Sequence, residues 1–296
     1  MSEQASSSIY DLGYRHYEGE RIGRRGTLLT LYVHGLRSAF GLGRRPLSKI
    51  FPFGLAILAF VPAIIQLGVA AIVGGGHEHV RLFKHEDYFQ YVRIILVLFC
   101  ATVAPELIGR DQRSRTLALY FSRAVSRLDY AFAKFAALTS VMLVLTLGPQ
   151  LVLFIGNGLA SNDLSGYLAD NWNLVLPIFG GALLLSMTIA ALGLVIAAYL
   201  PRRAYSTAAI VGTFILTLTI GHILIETANA SVAKWFLLAS PYAWEGMVRL
   251  FFRVDPELGS TLQQSGLSGW ACLAAVLGSI AICVALTLRR LRRVST

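Results

Sequence analysis

Six stretches of this chain stay apolar for long enough to cross a lipid bilayer, and that dominates what it can fold into. They run from about Ile50 to Val73, Tyr91 to Ile108, Tyr130 to Ile155, Leu174 to Leu200, Ala204 to Ile225 and Trp270 to Leu288. A helix covers a hydrocarbon core of about 30 Å with about 20 residues. No water reaches the backbone there, so every N–H and C=O must be satisfied within the protein, which leaves helices and closed barrels. A barrel needs short strands of alternating hydrophobicity, and no such alternation is present. The predicted fold class is an all-α membrane protein with six transmembrane helices. Composition agrees: 55% of the residues are hydrophobic and 14% charged, whereas a soluble domain is roughly a quarter charged.

The net charge is +10. A basic chain can bind nucleic acid, but here the arginines stand just outside apolar stretches. That placement is a topology signal and an attraction to anionic lipid. Membrane lipid is therefore an expected partner and nucleic acid is not. Grouping the N-terminal region, the segment after the second span, Arg202-Arg203 and the C-terminus on one side collects 20 of the 26 lysines and arginines. Arg81, Lys84, Lys234, Arg249 and Arg253 fall on the other side, with Arg93 near that edge. Basic residues are retained inside, so both termini are expected in the cytoplasm of a multi-pass cell-membrane protein. Six spans fit, because an even number returns the chain to its starting side. Cys100, Cys272 and Cys283 all fall within apolar spans, as small buried hydrophobes rather than a disulfide framework. The polar N-terminus lacks the apolar core of a cleaved signal peptide.

Residues 1–49 are expected to form a cytoplasmic tail and an interfacial helix, and residues 50–296 a six-helix transmembrane domain. Within the first part, Thr27 to Phe40 reads as an amphipathic helix. Leu28, Tyr32, Leu36 and Phe40 recur every four residues, Leu29 and Val33 lie beside them, and Thr30, His34 and Arg37 take another face. Such a helix lies in the membrane interface, with Arg44, Arg45 and Lys49 as headgroup anchors. Asn157 to Asn173 reads as a polar loop, and Pro149 as an interruption of the third span. Glu226 to Ser268 is the longest connection. Its apolar pieces, Val232 to Ala239 and Trp244 to Phe252, are broken at Ser240-Pro241 and too short to cross, so re-entrant or flat interfacial helices are expected before the last span.

The segment from Ile108 to Leu128 is polar, rich in arginine, and flanked by spans. It reads Arg-Thr-Leu-x-Leu-x-x-Ser-Arg-x-x-Ser-Arg from Arg115, with Lys134 beyond. Leu117, Leu119, Tyr120 and Phe121 are apolar residues inside this polar hairpin and should pack against something. Together with the interfacial helix, the six spans and the apolar pieces before the sixth, the hairpin resembles the first cytoplasmic loop of ABC-2 type transporter permeases. The N-terminal Tyr14, Tyr17, Gly19 and Arg21 resemble a motif of bacterial members.

The resemblance implies the membrane subunit of an exporter. A cytoplasmic ABC ATPase subunit and a second permease chain, in a homodimer or heterodimer, would be its partners. No Gly-x-x-x-x-Gly-Lys-Ser/Thr phosphate loop occurs in the chain, so no cofactor is expected here, and ATP and Mg would be bound by the partner ATPase. Arg110, Arg113, Arg115, Thr116, Leu117, Tyr120, Arg123 and Arg127 are the residues expected to couple to it. The family's second-span glutamate could be matched by Glu106 or by Asp111.

Other polar positions carry open alternatives. Gln66, Thr213 and Thr217 could line a substrate path; the threonines could equally bond to carbonyls of their own helix. Ala208 and Gly212 would permit close helix packing. Glu106 is four residues before Arg110, a favourable helical pair. His77, His79 and His85, with Glu78, Glu86 and Asp87, form a dense cluster that could bind zinc or copper or simply be solvated. No catalytic residue is predicted: His-Glu-x-x-His, Gly-x-Ser-x-Gly and paired span aspartates are all missing. A membrane-embedded lipid-modifying enzyme, or a metal-linked transporter using the histidine cluster, remains the alternative. Few central charges in the spans suit a lipid-like or amphipathic cargo.

Overall fold

The computed structural model of the protein describes residues 23–43, 46–73, 84–114, 116–121, 125–161, 163–227, 230–256, 258 and 260–293. Among them there is no strand, and six helices are long and apolar enough to cross a membrane. An N-terminal helix α1 (Arg24–Ala39) precedes the first spanning helix, α2 (Leu47–Val73). The second span is α3 (His85–Ala104), a π-helical turn (Pro105–Gly109) and α4 (Arg110–Arg113) in continuous succession. A short α5 (Leu117–Phe121) leads to the third span, α6 (Arg127–Ala160). Then α7 (Leu164–Asn171) and a 3-10 turn (Trp172–Leu174) run into the fourth span, α8 (Val175–Tyr199), and α9 (Arg203–Thr227) is the fifth. Three short helices follow, α10 (Ala230–Leu238), α11 (Tyr242–Phe252) and α12 (Thr261–Ser265), before the sixth span, α13 (Gly269–Arg293).

Local chemistry sets several of these boundaries. α6 begins with a reciprocal cap: the Ser126 hydroxyl accepts from the Asp129 N–H, and the Asp129 carboxylate accepts from the Ser126 N–H. Two otherwise unbonded donors of the first turn are satisfied at once. Asp163 caps α7 and Ser260 caps α12 in the simpler one-way manner. α10 and α11 are broken at Ser240-Pro241, as expected. α11 ends where Arg253 takes a left-handed conformation, φ 55°.

Packing follows the rule for helices in lipid, where small residues let backbones approach. Ala182, Ala190, Ala197 and Ala198 of α8 are fully buried, and Gly193 faces Cys100 of α3. α3 and α8 form the centre of the bundle, surrounded by α2, α6, α11 and α13. α9 is the peripheral span: only Ser206, Ile210 and Gly221 are buried. The hairpin formed by α4 and α5 lies at one end of the bundle, with α1, the first turns of α6 and the last turns of α13. This end is called the hairpin side below.

Three expectations are corrected. The segment 157–173 is mostly helical: α6 continues to Ala160, and α7 occupies Leu164–Asn171. Pro149 does not interrupt the third span, which runs as one helix through it; a proline removes one hydrogen bond, and packing on both sides carries the helix across. The buried stripe of α1 is Leu31, Gly35 and Ala39, with Leu28, Tyr32, Leu36 and Phe40 half-buried beside it and Leu29 and Val33 exposed. The stripe is displaced because Gly35 and Ala39 allow close approach to α6. A Cβ on Gly35 would lie 2.7 Å from that of Ala137.

Candidate functional site

The hairpin is anchored by a buried charge cluster. Asp111 on α4 is 9% exposed and Lys134 on α6 1% exposed. Lys134 Nζ lies 2.9 Å from Asp111 Oδ2. The Tyr130 hydroxyl donates to that same oxygen at 2.7 Å, and the ammonium also sits over the Tyr130 ring, 5.3 Å from its centroid. Removing two charges from water is costly, and the cluster offsets it by satisfying the carboxylate twice within a few ångströms.

The turn between α4 and α5 closes on itself. Ser114 N–H donates to the Arg110 carbonyl, and both the N–H and the hydroxyl of Thr116 donate to the Asp111 carbonyl, at 3.1 and 3.2 Å. These bonds consume carbonyls that a helix end leaves unpaired. α5 then lies across a small apolar cluster: Leu117, 3% exposed, is buried in one group with Leu31 of α1, Val125, Tyr130 of α6 and Leu291 of α13. Tyr120 and Phe121 pack on Tyr130 with ring centroids 5.8 and 5.9 Å away. The Arg127 guanidinium covers Phe121. Burial first, and then the charge of Asp111, push the Tyr120 phenol above its ordinary pKa, so it stays a neutral hydrogen-bonding group.

The hairpin therefore has two faces. One is held by α1, α6 and α13. The other carries Arg110, Arg113 and Ser114, all exposed, with Thr116 and Tyr120 half-exposed beside them. Arg115 and Arg123 lie outside the described residues. Leu117, expected among the coupling residues, has its side chain buried within this chain, where it helps hold α5 in place.

Two further ion pairs tie this end together. Arg24 of α1 grips both carboxylate oxygens of Asp129, each at 2.8 Å. Glu106, in the π-helical turn, takes Arg203 at the start of α9 as a partner at 3.3 Å. A Cβ on Gly109 would lie 2.9 Å from the Pro201 carbonyl oxygen, so the base of the hairpin rests directly on the α8–α9 turn.

Thr213 and Thr217 come together in a cavity of about 70 Å³ between α3, α8, α9 and the α10–α11 break, beside Val97, Gly193, Pro241 and Trp244. The Thr217 hydroxyl donates to the Thr213 carbonyl at 2.7 Å, so its hydrogen goes to its own helix. Gln66 is buried on α2 and is not in this cavity. His85 opens α3, its Nδ1 2.6 Å from Gln150 Oε1, while the Gln150 amide donates back to the His85 carbonyl. His77 and His79 lie outside the described residues, and among those described no group of three His, Cys, Asp or Glu could hold a metal.

Sequence reasoning missed the Asp111–Lys134 pair, the Arg24–Asp129 clamp and a third cluster on the opposite side. There Arg249 pairs with Glu245 at 3.2 Å, and both line a small cavity with Arg93 and Glu86. The available signal was the charges themselves: a lone lysine two turns into an apolar span needs a partner. The model of the family described as ABC-2 family transporter protein matches residues 65–296. No curated protein matches the chain.

Proposed function

Since this chain belongs to the ABC-2 family of transporter proteins, we propose that it is the membrane-spanning permease subunit of an exporter, driven by ATP hydrolysis in a separate cytoplasmic ATPase subunit. The observation that carries the reading is the two-faced hairpin. Its inner face is locked to three helices by Leu117 and the Asp111–Lys134–Tyr130 cluster. Its outer face presents Arg110, Arg113, Thr116 and Tyr120. A push on the outer face is therefore passed to α3, α6 and α13 instead of being absorbed by a loose loop. Arg115 and Arg123 add to the basic character of the segment in sequence, and the Arg127 guanidinium packs on Phe121.

In this reading the hairpin side faces the cytoplasm of a cell-membrane protein, as the retained basic residues require. Two permease chains pair, the little-buried α9 being available for a seam. The cavity beside Thr213 and Thr217 lies on the path of a lipid-like or amphipathic substrate, and α10–α11 close that path on the far side. ATP and Mg belong to the partner. Reconstitution with the ATPase subunit tests the core of this: Tyr120→Ala should leave the chain inserted and folded but lower ATPase co-purification and substrate-stimulated turnover. Unchanged coupling would remove the hairpin from the mechanism.

A further inference from the structure

On the hairpin side an apolar trough of about 340 Å³ opens between the ends of α6, α8 and α13. Phe132 and Phe135 of α6, Ala191 and Leu194 of α8, and Val284 and Leu288 of α13 form its walls. Its size is within the range of about 300–1,000 Å³ typical of ligand sites. All these residues sit within a few turns of the helix ends, so the trough lies in one leaflet. Phe132 at its edge is 67% exposed, leaving an apolar ring open beside the trough.

The polar end of the trough is built differently. Asp129 lines it, but both of its oxygens are held by Arg24. That grip uses two of the three guanidinium nitrogens, and the Arg24 side chain remains 67% exposed. Arg292 follows Leu288 by one helical turn on the same side of α13. Among the described residues on this side, the carboxylates are Glu106, Asp111 and Asp129, each already taken by Arg203, Lys134 and Arg24. Arg25, Arg289 and Arg293 are exposed around the same end. Counted over the described residues, this side of the protein is therefore net positive.

We propose that this trough binds an anionic phospholipid, with an acyl chain between α6, α8 and α13 and the phosphate at Arg24 and Arg292. Basic pockets between spans recognise lipid headgroups by this combination. Charge complementarity at the mouth selects an anionic over a zwitterionic lipid, and the apolar walls select a chain over a soluble phosphate. Leu288 and Ala131 also belong to the cluster under Leu117, so the bound chain extends the packing that holds α5. The inference rests on the spans lying in a bilayer and is independent of what docks on the hairpin.

The test uses Phe132→Trp. The native tryptophans, Trp172, Trp235, Trp244 and Trp270, all lie toward the opposite side, so the new indole reports the trough after subtraction of the wild-type signal. The full chain is placed in phosphatidylcholine vesicles with increasing fractions of brominated phosphatidylglycerol or brominated phosphatidylcholine. Brominated phosphatidylglycerol should reach half-maximal quenching at a mole fraction about 25-fold lower, about fivefold for each of the two guanidinium contacts near the surface. Arg292→Gln, which leaves the Arg24–Asp129 clamp intact, should shrink that difference, and adding Arg24→Gln should abolish it while both lipids still quench. Equal quenching by the two lipids in Phe132→Trp would mean ordinary boundary lipid and overturn the proposal. No quenching by either would mean that protein, such as a second copy of the chain, covers the trough, and would overturn it as well.

Discussion

Lys134 and Asp111 form an ion pair across the junction of two spans, with the lysine almost wholly removed from solvent. Such pairs contribute little net stability but are costly to break on one side. Lys134→Met should destabilise the protein by about 3–5 kcal/mol, because it strands the Asp111 carboxylate. Lys134→Met combined with Asp111→Leu should recover most of that loss. Thermal unfolding of the purified protein in detergent ranks the variants; equal losses in the single and double variants would show that the two charges are not coupled.

Close approach of α1 to α6 depends on Gly35. A side chain there meets Ala137 within 2.7 Å, which real Cβ contacts do not tolerate. Gly35→Val should lift α1 from the bundle and loosen the cluster containing Leu31. Amide hydrogen exchange should then speed up in α1 and α5 while the core of α3 and α8 keeps its protection. Unchanged exchange in α1 would mean that the helices accommodate the methyls by sliding.

The two faces of the hairpin predict different phenotypes. Leu117→Asp places a charge in an apolar cluster and should destabilise the hairpin itself, seen as faster proteolysis near α5. Tyr120→Ala should spare the fold and reduce affinity for the ATPase, where a buried aromatic anchor can contribute about 2 kcal/mol or more. Arg113→Ala should slow association, an effect largest at low salt and fading as salt screens it. A salt-independent defect in Arg113→Ala would place that residue at the buried centre of the contact instead.

Topology is open to a direct check. Cysteines placed at Gly23 and Arg293, in a background lacking Cys100, Cys272 and Cys283, should both resist a membrane-impermeant thiol reagent in intact cells and react after permeabilisation. Labelling of either one in intact cells contradicts a shared cytoplasmic location.

The spans could be read from sequence because burial in lipid writes a continuous signal: each helix from α2 to α13 that crosses the membrane contains an apolar run of the necessary length. The hairpin was equally visible, since Leu117 and Tyr120 stand out inside a polar loop. What Leu117 touches was not visible. Its neighbours Leu31 and Leu291 come from opposite ends of the chain, and no local pattern links them. The same holds for Arg24 with Asp129 and for Glu106, which meets Arg203 in the fifth span although Arg110 was the partner suggested by helical spacing. The stripe of α1 was misplaced for another reason: hydrophobic periodicity weights large residues, whereas contact with α6 is made through Gly35 and Ala39.

The π-helical turn between α3 and α4 sets the azimuth of everything beyond it. There the Arg110 N–H bonds to the Pro105 carbonyl, five residues back, so one residue more than an α-turn holds is wound into the helix. A single residue corresponds to about 100° of rotation about a helix axis. The compass bearing of Arg110 and Arg113 relative to α3 is thus fixed by the wide turn that takes up this extra residue. Winding the same residues as an even α-helix would swing the arginines through about a quarter turn, clocking the basic face away from where it now points without altering a single charge.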